Sequence, residues 1–97
     1  MKNIIYVTKH DTNWLKGLAY FVDEQQLDFL VVQYETVEAL LALTDAEKKN
    51  VLAIVLDWEL PQTGLHGQEA YDTLMVLFPF SEVLVLSSNQ TEYFSFR

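Results

Sequence analysis

The chain has 97 residues, 51% of them apolar, with 14 acids, 6 bases and no cysteine. That length fits one domain with one core, and six Phe, five Tyr and two Trp exclude a disordered composition. A formal charge of −8 argues against binding nucleic acid or an anionic membrane, since both draw on clustered Lys or Arg.

The missing cysteines exclude a disulfide scaffold and thiolate metal sites. No apolar run approaches the roughly 18–20 residues of a membrane span. The opening MKNIIYV lacks the long apolar stretch and cleavage site of a secretory signal. A cytoplasmic protein is expected, with another protein as its default partner.

In chain order, NIIYVT (3–8) reads as a strand. Asp11, Thr12 and Asn13 are competent caps for a helix over 12–25, in which Trp14, Leu15, Leu18, Phe21 and Val22 recur at helical spacing. DFLVVQY (28–34) reads as a second strand, and its four consecutive apolar residues predict burial on both faces. ETVEALLAL (35–43) reads as a short helix with Val37, Leu40 and Leu41 on one stripe. Thr44 and Glu47 have capping-box spacing, which predicts a further turn through Asn50.

VLAIVLD (51–57) is the clearest strand, six apolar residues ending in a carboxylate. The loop WELPQTGLHG follows, punctuated by Pro61, Gly64 and Gly67. A helix over 67–78 carries Ala70, Leu74 and Leu77 on one face, and Pro79 ends it. EVLVLS (82–87) is a fourth strand, and the tail SNQTEYFSFR is too short to classify.

Each interval between strands is long enough for a crossover helix, so the order β-α-β-α-β-α-β predicts a doubly wound parallel α/β sheet. Ligands and chemistry gather at the carboxyl ends of such strands. The sequence puts Thr8, Lys9, His10 and Asp11 there, with Tyr34 and Glu35, then Asp57, Trp58 and Glu59, then Ser87, Ser88 and Asn89. Asp57 stands out, because an Asp after six apolar residues is costly unless exposed, paired or metal-bound. Ser87 could donate a hydrogen bond to a charged group on Asp57. His10 and His66 are isolated loop or capping histidines. No GxGxxG, Walker loop, GxSxG or HExxH is present, and no base stands beside a nucleophile, so an enzyme is not expected.

The segment VLAIVLDWELPQTGLHGQEAYDTL resembles the phosphoacceptor strand, loop and third helix of a bacterial response regulator receiver domain (CheY-like, flavodoxin-like), and VLVLSS is similar to the fourth strand of that family. The resemblance covers essentially the whole chain, as a single receiver-like domain over 1–97. It implies that Asp57 is the phosphoacceptor and that Trp58, Glu59, Pro61 and Gly64 or Gly67 form the loop beside it. It further implies that Ser87, with Ser88 next to it, senses the phosphoryl group. Histidine kinases and an output protein or domain would be the partners in a two-component phosphorelay.

Two departures mark an atypical member. The acidic pair that holds Mg²⁺ in receivers is replaced by Thr8 and Lys9, which leaves Asp57 and the more distant Asp11 as metal ligands; a Lys9 ammonium pairing with Asp57 could mimic part of the cation's charge. The family's fifth strand and last helix are also missing, so a sheet of about four strands in the order 2-1-3-4 is expected. Its helix stripe Trp14, Leu18, Phe21, Val22 would then be half covered and its fourth strand an open edge. Either the tail YFSF adds a strand, or a partner protein or a second copy in a homodimer covers that surface, or the chain is a fragment. A related resemblance is to the receiver-like wing domain of basic-amino-acid decarboxylases, which implies a structural or oligomerising role.

Overall fold

A computed structural model describes residues 2–9, 12–87 and 92–95. The elements are β1 (Lys2–Val7), α1 (Thr12–Glu24), β2 (Phe29–Tyr34), a 3₁₀ segment (Glu38–Ala42), α2 (Asp45–Lys49), β3 (Val51–Asp57), α3 (Gly67–Leu77), β4 (Glu82–Ser87) and β5 (Glu92–Ser95). The sheet order is β2-β1-β3-β4-β5. The first four strands pair in parallel, in the expected doubly wound order.

The sheet separates two apolar layers. On one face Ile5, Val7, Ile54, Leu56 and Val83 pack with Val37 and Leu40 of the 38–42 region and with Ala70, Leu74 and Phe78 of the α3 region. On the other, Tyr6, Val55 and Leu86 meet Trp14 and Leu15 of α1. The Trp14 ring stands edge-on to Tyr6 with centroids 5.2 Å apart, a favoured aromatic geometry. Trp14 and Leu18 are half-buried and Val22 is buried, but Phe21 stays exposed, so the α1 stripe is only partly covered.

Three sequence expectations change. β2 is an edge strand, so its apolar run is half-buried, and Leu30 is 51% exposed. The 35–43 helix is a five-residue 3₁₀ segment. The Thr44 capping box forms in full, with Thr44 Oγ accepting from Glu47 N and Glu47 Oε1 from Thr44 N. Leu43 and Thr44 take extended backbone, so the 3₁₀ segment stops at Ala42, and its bonds are the tighter i→i+3 kind, such as Leu40 N to Val37 O. The third change is at the far edge. The tail adds β5, antiparallel to β4 through pairs including Leu86–Tyr93 and Ser87–Glu92. β4 is therefore an inner strand, and the parallel part keeps the four strands expected.

α1 ends without glycine. Gln26 takes φ +55° and Leu27 N reaches back to Val22 O at 3.0 Å, which satisfies a carbonyl of the last turn. No helix among the described residues is long and apolar enough to cross a membrane.

Candidate functional site

β1 and β3 are neighbours in register, with Val7 opposite Leu56. The residues that follow, Thr8 and Asp57, therefore meet at the carboxyl end of the sheet. Thr8 is fully buried and Asp57 is 7% exposed. Thr8 Oγ1 donates to Asp57 Oδ2 at 2.7 Å. Glu59 N donates to Asp57 Oδ1 at 2.8 Å, closing a turn of the kind Asp side chains make with backbone two residues on. A buried carboxylate is tolerated when its oxygens are bonded in this way. Thr8 is held in turn by its neighbour strand: Thr8 N donates to Tyr34 O, and Gln33 Nε2 to Thr8 O, each at 2.9 Å.

The other sequence candidates distribute around this pair. Lys9 is exposed, and no Lys9–Asp57 ion pair forms among the described residues; the Thr8 hydroxyl holds the carboxylate instead. Trp58 is 38% exposed, and its N–H bonds Leu86 O of β4. Pro61 and Gly64 line a groove of about 260 Å³ with Lys9, Glu35, Thr36, Glu38 and Leu65. Gly67 opens α3 at φ +53°, close to Trp58. His66 occupies the N-cap position without capping through its side chain; its Nδ1 lies 2.9 Å from Gly64 O. Ser87 ends β4 one residue beyond Leu86, the register partner of Asp57. His10, Asp11, Ser88 and Asn89 lie outside the described residues.

One site residue was placed by the sequence without its role, and one escaped it. Thr8, expected at this end of the sheet in the position of a lost acid, is the direct partner of Asp57. Glu38 accepts from Leu65 N through Oε2 at 2.8 Å, fastening the 3₁₀ segment to the loop after β3. The signal for Thr8 was a hydroxyl ending an apolar strand next to the one that ends in Asp57.

Among the described residues no three His, Cys, Asp or Glu side chains group as a metal site. Mg²⁺ draws on carboxylate and other oxygen ligands in strict octahedral array. With a Thr hydroxyl on one oxygen of Asp57 and a backbone N–H on the other, the donors among the described residues do not fit that ion.

No protein-family model matches the sequence, and no curated protein sequence matches it significantly. The fold does match solved structures of the Salmonella typhimurium RcsB response regulator, whose description concerns conformational dynamism for DNA interaction. One superposes with TM-score 0.65 at 22% identity over 90% of this chain, and another with TM-score 0.62 at 19% identity over 89%. The chain spans 44% and 43% of theirs, less than half their length. At this identity the likeness is one of fold: a receiver-type doubly wound sheet with an atypical carboxyl end.

Proposed function

We propose that the chain is a receiver-like signalling module of a bacterial two-component system that works through protein–protein contact rather than catalysis. The observation that carries this reading is Asp57, buried at the end of β3 with Thr8 Oγ1 on one oxygen and Glu59 N on the other. The aspartate keeps the acceptor's place in the sheet, while Thr8 and Lys9 supply a hydroxyl and an ammonium where a receiver would offer two acids. Phosphoryl transfer develops charge that such a site needs a cation to clamp, so a held rather than a phosphorylated Asp57 is the working state. A histidine kinase or an output protein or domain is the expected partner.

Incubation with acetyl phosphate and Mg²⁺ tests this by intact mass. No added phosphoryl group is expected. An addition that disappears in Asp57→Asn would make Asp57 a working acceptor and overturn the held state.

A second reading, a structural or oligomerising domain, is favoured by one feature. Tyr20 and Phe21 of α1 are 68% and 54% exposed, the kind of apolar surface that partners cover. Sedimentation over a range of concentrations, with Phe21→Ser as control, decides whether the chain pairs with itself there; a strict monomer removes this reading.

A further inference from the structure

Three of the chain's six basic residues gather at the amino end of the sheet, opposite Asp57. Lys48 and Lys49 close α2, and Lys2 at the start of β1 donates from Nζ to Lys49 O at 3.2 Å. Beside them opens a groove of about 320 Å³ between α2 and the end of α3, lined by Lys48, Lys49, Asp45, Val76, Pro79 and Phe80. Its apolar wall faces water: Phe80 is 81% and Val76 78% exposed.

The groove is preformed. Phe78 is 1% exposed and anchors one side in the core. Ser81 fixes the turn that carries Phe80, through Ser81 N to Phe78 O at 3.2 Å and the buried Ser81 Oγ to Val51 O at 2.6 Å. The capping box of Thr44 and Glu47 holds the α2 side. A wall already ordered before binding reduces the entropy lost on association.

We propose that this amino-end groove docks an acidic peptide segment of a partner protein, with one aromatic or branched apolar side chain seated against Phe80 and Val76. Its carboxylates would pair with Lys48, Lys49 and Lys2. Charge selects the occupant. A chain of net charge −8 opposes extended anionic surfaces such as membranes and nucleic acids. A short peptide meets mainly the local lysines, against the single acid Asp45 of the groove lining, because charges more than about 8 Å away are screened at physiological ionic strength. Aromatic side chains, Phe among them, are enriched at protein–protein interfaces. This inference does not depend on the state of Asp57.

A random-peptide display library panned on the whole chain tests it, followed by fluorescence anisotropy with the enriched peptides. Enrichment of acidic sequences carrying an apolar residue is expected, with affinity falling as salt rises. Lys48→Glu with Lys49→Glu, and separately Phe80→Ser, should each weaken binding about tenfold or more, whereas Lys16→Glu on α1 should not. Far-UV circular dichroism checks that the variants fold. The proposal is overturned if no peptide is enriched, if the enriched peptides lack acids, or if the groove variants leave binding unchanged. It is equally overturned if the same variants abolish self-association in sedimentation, or binding to phosphatidylserine vesicles, in place of peptide binding.

Discussion

Thr8 and Asp57 are 49 residues apart in sequence and 2.7 Å apart through Oγ1 and Oδ2, both buried. Thr8→Val keeps the shape and removes the donor, leaving a buried carboxylate oxygen without this partner. A loss of about 1–3 kcal/mol is expected in urea unfolding. Thr8→Ser, which keeps the hydroxyl, should lose less. If Thr8→Val unfolds at the wild-type midpoint, the contact contributes nothing to the fold.

Thr8→Asp combined with Lys9→Asp places two carboxylates beside Asp57, as in the receivers that the sequence resembles. Like charges at that spacing repel, so the variant should melt below wild type in EDTA. Millimolar Mg²⁺ should recover part of that loss through preferential binding to the native state. The wild-type melting temperature should not respond to Mg²⁺. A wild-type rise of several degrees would show that the existing donors do hold the ion.

Among the described residues two occupy the left-handed backbone region, Gln26 at φ +55° and Gly67 at φ +53°. Gly67→Ala should destabilise by about 1–2 kcal/mol from backbone strain alone, since its new Cβ would meet only Trp58 Cζ2 at an ordinary 3.8 Å. Gln26→Gly should stabilise by a few tenths to about 1 kcal/mol. Gly64→Ala differs in cause: its Cβ would come within 2.8 Å of Glu38 Oε2. The flexible carboxylate can move, at the expense of its bond to Leu65 N. Urea midpoints of the three variants test the ordering.

The Glu47 carboxyl is held below its ordinary value, first by the Thr44 backbone N–H and then by the Thr44 side chain. A lowered folded value means that this contribution to α2 is present above the unfolded Glu value and is lost as pH falls through the folded one. A carboxyl ¹³C titration should give Glu47 a midpoint below that of an unstructured Glu. In Thr44→Ala the midpoint should rise partway, because the backbone donor remains. An ordinary midpoint in the wild type would mean that the box does not form in solution.

The elements legible in the sequence were those bounded by clear punctuation. β3 and β4 match their apolar runs residue for residue, and α3 stops before Pro79 as expected. The burial of β2 was misjudged from its apolar run alone, although the expected order 2-1-3-4 already placed that strand at the sheet edge. β5 was one of several alternatives for the tail, because four residues carry too little periodicity to decide between a strand and a surface covered by a partner. At the site, the position of Asp57 was legible from chain order. Its partner was not, because Thr8 contributes a hydroxyl rather than a charge, and only the β1–β3 adjacency brings the two together.

The antiparallel β4–β5 pair also bears on how the molecule assembles. Every parallel pairing here joins segments separated by a crossover, so each must close a long loop before its hydrogen bonds form, which slows folding. The β4–β5 ladder begins at Ser87 and Glu92, a closure of only a few residues with a correspondingly small entropic cost. The sheet thus combines three pairings of high contact order with one local hairpin, and that hairpin can zip onto β4 without waiting for another helix to cross over.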